Sequence, residues 1–183
     1  MIESFEKTML AGSIAAGALD EVNNIIKPGL STLEIDKLCY QYINDHKAFS
    51  APLYYRGYPR SCCTSSNHVV CHGIPSEKIL NDGDIVNVDV TAIKDGWHGD
   101  TSRMFVVGEC SVKAKKLIKV TYEAMMKSIN VIKANTKIGN IGYTIQKIVE
   151  AEGFSVVRDF CGHGIGKNFH ESPNVLHYGE KDS

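Results

Sequence analysis

Asp89 and Asp100 stand in two runs that otherwise read as half-buried β-strands, within NVDVTAIKDGWHGDTSRMF, Asn87 to Phe105. Val86, Val88 and Val90 alternate with Asn87, Asp89 and Thr91, the period-two pattern of a strand with one buried face. Asp and Asn are poor strand formers, so something must compensate them. Asp95-Gly96, between the runs, suits a two-residue hairpin turn that needs positive φ. With that turn, Lys94 pairs with Trp97, Thr91 faces Asp100 and Asp89 faces Ser102. Asp89 and Asp100 then become diagonal neighbours on one face, about 5–8 Å apart. Two carboxylates that close repel unless a proton or a cation lies between them. A solvated polar face on an edge hairpin is the other reading of the same pattern.

Three histidines stand in turn-like settings: His72 in VVCHGIP, His163 in CGHGIG and His170 in FHESP. Glycines on both sides of His163 suggest backbone packed closely around a projecting group. His46, His68, His98 and His177 have no comparable context and read as surface or packing residues. Two carboxylates and an imidazole make a mixed oxygen and nitrogen site. Such a site suits Mn²⁺, Fe²⁺, Co²⁺ or Zn²⁺ and not a thiolate zinc centre. A bridging carboxylate pair suggests two ions about 3.5–4 Å apart, the clamp of metal-assisted hydrolysis. Two ions need further carboxylates. Glu171 and Glu180 are available, but the pattern points to neither.

These side chains need a scaffold. The chain has 183 residues, 43 % hydrophobic and 22 % charged, with a formal net charge of −1. That is ordinary globular composition, long enough for one sizeable core, with no electrostatic footprint for nucleic acid or anionic membrane. The first residues lack a basic stretch leading into an apolar run, so no signal peptide is expected, and no segment approaches a membrane span. The six cysteines form no CxxC pair and fit no zinc knuckle, and most read as small buried hydrophobes.

Ser4 to Ile26 reads as a helix with Phe5, Met9, Leu10, Ile14, Val22 and Ile25 near one side, stopped by Lys27-Pro28-Gly29. Ser31 to Glu34 is a capping box that opens a second helix to about Asp45. Ala48 to Cys71 is strand-like and loop-rich, with YYRGYP as a turn. Ser111 caps a third helix to about Lys133, a fourth runs near Ile138 to Glu152, and FSVVRDF, Phe154 to Phe160, reads as a strand. The two halves resemble each other: IIKPGLSTLEI at Ile25 sits against VIKANTKIGNI at Val131, and AFS at Ala48 against GFS at Gly153. The first half closes near Gly108 with its hairpin. A full second copy needs more residues than follow Val131, so the second half is expected to be incomplete.

The blocks SCCTSSNHVVCHGIP, DGDIVNVDVTAIKDGWHGDTSRMF and EAEGFSVVRDFCGHGIGKNFHESPNVLHYG together resemble type I methionine aminopeptidases of bacterial character, from about residue 5 to residue 179. The resemblance implies an α/β (α+β) pita-bread fold. In it, two pseudo-symmetric halves flank a dinuclear centre within a single catalytic domain, residues 1–183, that lacks the C-terminal part of its second half. It implies Asp89 as a terminal metal carboxylate, Asp100 as the bridging carboxylate and His163 as an imidazole ligand. His72 matches the histidine that contacts the substrate at the reacting centre, and His170 the one that hydrogen-bonds the scissile amide. Tyr55, Tyr58, Cys63 and Phe169 fall where the family builds its methionine pocket; an aromatic, thiol-lined slot suits an unbranched thioether. Asn67 and Val69 match backbone ligands of an accessory monovalent cation.

The implied activity is removal of N-terminal methionine from nascent proteins and peptides by a metal-activated hydroxide. Its cofactors would be two divalent ions (Mn, Fe, Co or Zn). The implied setting is cytoplasmic, for a monomer with transient contact to the ribosome surface, no nucleic-acid recognition and no membrane. The family carries two further glutamate ligands in later strand motifs, one of them the general base. Neither motif occurs here, which leaves three of five protein ligands. Arg56 and Pro52 stand where the family commonly has histidine and cysteine. The competing expectation is an inactive remnant, at most a peptide-binding pita-bread module. A proline-directed peptidase of the same fold fits less well, because YYRGYP and CHGIP match the methionine enzymes better.

Overall fold

The Asp95-Gly96 turn organises the sheet of the computed structural model, which describes residues 2–183. Asp95 (φ 50°) and Gly96 (φ 78°) both take the left-handed region, as a tight hairpin of this hand requires. The turn joins β3 (Ile85–Lys94) to β4 (Trp97–Val106), in the register read from the sequence: Lys94 opposite Trp97, Thr91 opposite Asp100, Asp89 opposite Ser102. Two shorter strands, β1 (Phe49–Ser50) and β2 (Cys63–Ser66), pair in succession along the remaining edge of β3, and every pairing is antiparallel. Between β1 and β2, Tyr55–Gly57 makes one 3₁₀ turn.

Two compact units divide the chain: residues 1–110 with 165–169, and residues 111–164 with 170–183. The first boundary lies close to Gly108, where the internal repeat places it. The return of residues 165–169 to the first unit was not legible in the repeat.

In the first unit, α1 (Ile2–Ile25) packs on β3 and β4, and α2 (Thr32–Asp45) packs beside α1. Val86, Val88, Val90 and Ala92 of β3 are fully buried beneath Ile14, Ala15, Ala18, Leu19 and Val22 of α1, with Ile35, Cys39 and Ile43 of α2 closing the core. The expected apolar side of α1 needs correction. Phe5, Met9 and Leu10 are exposed, and the buried stripe is Ala11, Ile14, Ala15, Ala18, Leu19 and Val22. The reason is close approach: a Cβ added at Gly99 would overlap the backbone of Ala11 and Gly12, so small residues must face β4 there. The capping box is present. Ser31 Oγ accepts from the Glu34 amide at 3.2 Å, and the Glu34 carboxylate accepts from the Ser31 amide at 2.7 Å.

In the second unit, α3 (Val112–Asn130), capped by Ser111, packs on α4 (Gly139–Ala151), and β5 (Gly162–Gly164) pairs with β6 (Glu171–Val175). The expected strand over Phe154–Phe160 does not form. Among the described residues no segment supplies it a ladder, and Val157 and Phe160 remain exposed. A strand without a partner leaves its backbone groups to water and gains nothing over coil. The local strand is instead β5, which carries His163 itself. His163 is therefore a ladder residue and not part of a turn.

Candidate active site

β3 and β4 place the acidic pair. Asp89 and Thr91 point to the face opposite the buried valines, because side chains two apart share a face. Thr91, buried, donates its hydroxyl to Asp100 at 2.9 Å. Asp89 is half-buried and shares a hydrogen bond with Asp100. Burial, then the Asp100 charge, then that hydrogen bond push the Asp89 carboxyl up to about 7. A carboxyl this reluctant to ionise holds its proton through mildly acidic pH and sheds it only around neutrality, or earlier where a cation replaces it.

β2 brings a second group to the same face. Cys63 stands opposite Asp89 in the ladder. Burial raises its thiol to about 11, against the opposing effect of a Tyr58 hydrogen bond and with Asp89 and Asp100 adding to the rise. It therefore stays a neutral thiol and not a nucleophilic thiolate. The Tyr58 hydroxyl lies 3.0 Å from the carbonyl oxygens of both Cys62 and Gly73, and burial raises its pKa strongly. Tyr58 thus ties β2 to the His72-Gly73 stretch, as does the Thr64 amide, which donates to Gly73 O at 2.8 Å. His72 is exposed on that stretch in a left-handed conformation, φ 55°. Tyr55 meets Phe169 with ring centroids 5.0 Å apart. Arg56 lies over the Tyr55 ring at 5.4 Å, and Pro52 is buried. Asn67 (φ 54°) is fixed by its side chain: Nδ2 donates to Asp84 at 2.8 Å and Oδ1 accepts from the Ile85 amide at 3.1 Å. The Val69 amide donates to Ser66 O at 3.1 Å in the same turn.

In the second unit, His163 and His170 stand together with ring centroids 4.3 Å apart. His163 Nδ1 lies 2.9 Å from Gly164 O. A carbonyl only accepts, so Nδ1 carries a proton, and in the neutral ring Nε2 holds the lone pair a metal needs. A Cβ at Gly164 would overlap the backbone of Glu171 and Ser172, so this glycine permits the β5–β6 approach beside His163.

The structure thus brings together Asp89, Asp100, Cys63 and Tyr58, then Tyr55 with Phe169, then His163 with His170. It gathers no cluster of three or more His, Cys, Asp or Glu side chains at metal-binding spacing among the described residues. The donor chemistry still fits a divalent ion. In the first unit it is a carboxyl pair with Asp89 raised toward neutrality, and in the second, taken by itself, an imidazole whose Nδ1–H is already engaged. Three supporting residues escaped sequence reasoning. Thr91 was legible as the partner of Asp100 but not as its donor. Asp36 of α2, buried, accepts from the Ser61 amide, the Ser61 hydroxyl and the Cys62 amide at 2.6–3.1 Å, anchoring the start of β2. His98, read as surface or packing, is buried and hydrogen-bonded to Gly166. Nothing local in the sequence marks the last two, since their partners lie far along the chain.

The model of Metallopeptidase family M24 matches residues 6–183. The chain is 53 % identical over 177 residues to the methionine aminopeptidase of Rickettsia prowazekii, covering 97 % of this chain and 68 % of the relative. To that of Escherichia coli it is 52 % identical over 183 residues, covering 99 % of this chain and 69 % of the relative.

The chain belongs to the methionine aminopeptidases of metallopeptidase family M24.

The crystal structure of the Rickettsia prowazekii methionine aminopeptidase superposes with a TM-score of 0.98 at 51 % identity, over all of this chain and 74 % of that one. The pita-bread fold of this metallo-exopeptidase family is therefore the fold of this chain. A methionine aminopeptidase depends on divalent metal, which agrees with the acidic pair and the His163 tautomer.

Proposed function

We propose that the chain removes N-terminal methionine from peptides and nascent proteins, with Asp89, Asp100 and His163 holding divalent metal. The observation that carries this reading is the Asp89–Asp100 pair on one face of the β3–β4 hairpin, with Asp89 raised to about 7. Two divalent ions from among Mn, Fe, Co and Zn, held by Asp89, Asp100 and His163, would supply Lewis acidity and lower the pKa of water toward a hydroxide nucleophile. The chain's own residues supply the rest. Asp89 gives up its proton as cations bind, and Thr91 holds the Asp100 carboxylate in orientation. His72 and His170 contact the substrate: His72 stabilises the developing oxyanion and His170 hydrogen-bonds the scissile amide. Tyr55, Tyr58, Cys63 and Phe169 take up the methionine side chain, and the neutral Cys63 thiol keeps that slot apolar. Asn67 and Val69 offer backbone oxygens to a monovalent cation. No described helix is long and apolar enough to cross a membrane. A monomeric cytoplasmic role on chains leaving the ribosome fits this reading.

A second reading is a peptide-binding module without turnover. The slot residues of the first unit, Cys63 with its neutral thiol and Tyr55 against Phe169, would serve it without any ion. Turnover of a Met-Ala-Ser peptide with added Mn²⁺ or Co²⁺, beside Asp100→Asn, separates the two. We expect methionine release that the variant abolishes. A folded chain that binds the peptide and releases nothing assigns it to the second reading.

A further inference from the structure

Residues 165–169 lie between His163 and His170 in sequence, yet they belong to the first unit. What attaches them there is His98 on β4. Its backbone amide donates to Gly166 O at 2.9 Å, and its Nδ1 lies 3.0 Å from the same oxygen, 68 positions along the chain. The carbonyl can only accept, so Nδ1 carries a proton and both lone pairs of Gly166 O are engaged. His98 is 8 % exposed, too buried to be an ordinary surface histidine. Its ring stacks on Phe169, with centroids 5.7 Å apart and planes at 17°. Phe169 in turn meets Tyr55 at 5.0 Å. Next to His98, the Trp97 ring lies 5.6 Å from Lys167 Nζ, a second clasp on the same segment.

We infer that His98 is a positioning residue for the methionine slot: its Nδ1–H pins residues 165–169 to β4, and its ring sets the plane of Phe169. The part concerning the slot rests on the proposed function; the pinning does not. The two roles separate chemically. Asn at position 98 keeps a donor near Nδ1 and loses the plate. Phe keeps the plate and loses the donor.

The test uses the 183-residue chain and its His98→Asn, His98→Phe and His98→Ala variants. Hydrogen exchange at residues 98 and 165–169 reads the pinning, calorimetry with L-methionine reads the slot, and a thermal melt reads global stability. We expect His98→Asn to keep the segment's exchange within about threefold of the parent while methionine affinity falls about tenfold. His98→Phe should speed exchange of the segment more than about tenfold, and His98→Ala should lose both. Where turnover is measurable, the change falls on KM and leaves kcat nearly constant. Unchanged exchange and affinity in His98→Ala overturn the inference. So does a loss in all three variants that merely tracks the melting temperature. If the parent binds no methionine, the proposed function fails, and exchange at 98 and 165–169 alone decides the pinning.

Discussion

In the proposed site, Asp89 is the residue whose protonation most directly couples the fold to the chemistry. Its carboxyl is raised from 3.8 to about 7 by burial and by Asp100. Between those values the folded, metal-free chain holds a proton that the unfolded chain has already lost. Stability from this group is therefore full below pH 3.8 and is lost as pH rises to about 7. At about 1.4 kcal/mol per pKa unit, the loss is a few kcal/mol. Urea melts of the chelator-treated chain from pH 4.5 upward should show this decline, and Asp89→Asn should flatten it. Equal slopes in parent and variant would remove Asp89 as the cause. If Asp89 holds metal as proposed, the ion displaces the same proton, so Mn²⁺ affinity should rise across the same window, as titration at several pH values can check. At this scale the sequence was informative. Alternation and the Asp95-Gly96 turn placed both carboxylates on one face, because hairpin register follows from turn length. The size of the Asp89 shift was not legible, since it depends on what covers the side chain.

At the scale of elements, the site depends on how β2 and α1 are seated against β3 and β4. Asp36 accepts three hydrogen bonds at the start of β2, immediately before Cys63. Asp36→Ala leaves buried donors unsatisfied and should cost roughly 2–4 kcal/mol, with Asp36→Asn costing less. Urea denaturation would measure both, and a near-zero change in the alanine variant would refute the anchoring role. Gly99→Ala drives a methyl into the backbone of α1 and should cost at least about 1–3 kcal/mol. Ser31→Ala, which removes one half of the capping box, should cost only about 1 kcal/mol. Thermal melts of the pair test that order. The capping box was readable because its bonds are local. The buried face of α1 was misread because Phe5 and Met9 outrank alanine in hydrophobicity. Contact with Gly99 selects alanine by size.

Across the whole molecule, burial is uneven. The hydrophobic core cluster lies entirely in residues 14–107, whereas the buried hydrophobic side chains of the second unit are Val120 and Ala124 among the described residues. Val112, Tyr122, Met125, Ile129 and Ile132 are exposed there. Few buried apolar contacts mean a low local opening free energy. Amides of α3 and α4 should exchange at least about a hundredfold faster than those of β3. Equal protection in both would show one cooperative unit instead. By itself, the sequence determined the helices, the β3–β4 register, the acidic pair and the family, because these follow from local periodicity, turn chemistry and motif spacing. Only the tertiary structure decided that Phe154–Phe160 is not a strand, that residues 165–169 join the first unit through His98, and that Asp36 holds β2. A strand exists only if another segment completes its ladder. A buried histidine or aspartate is defined by partners far along the chain, and no local pattern encodes that meeting.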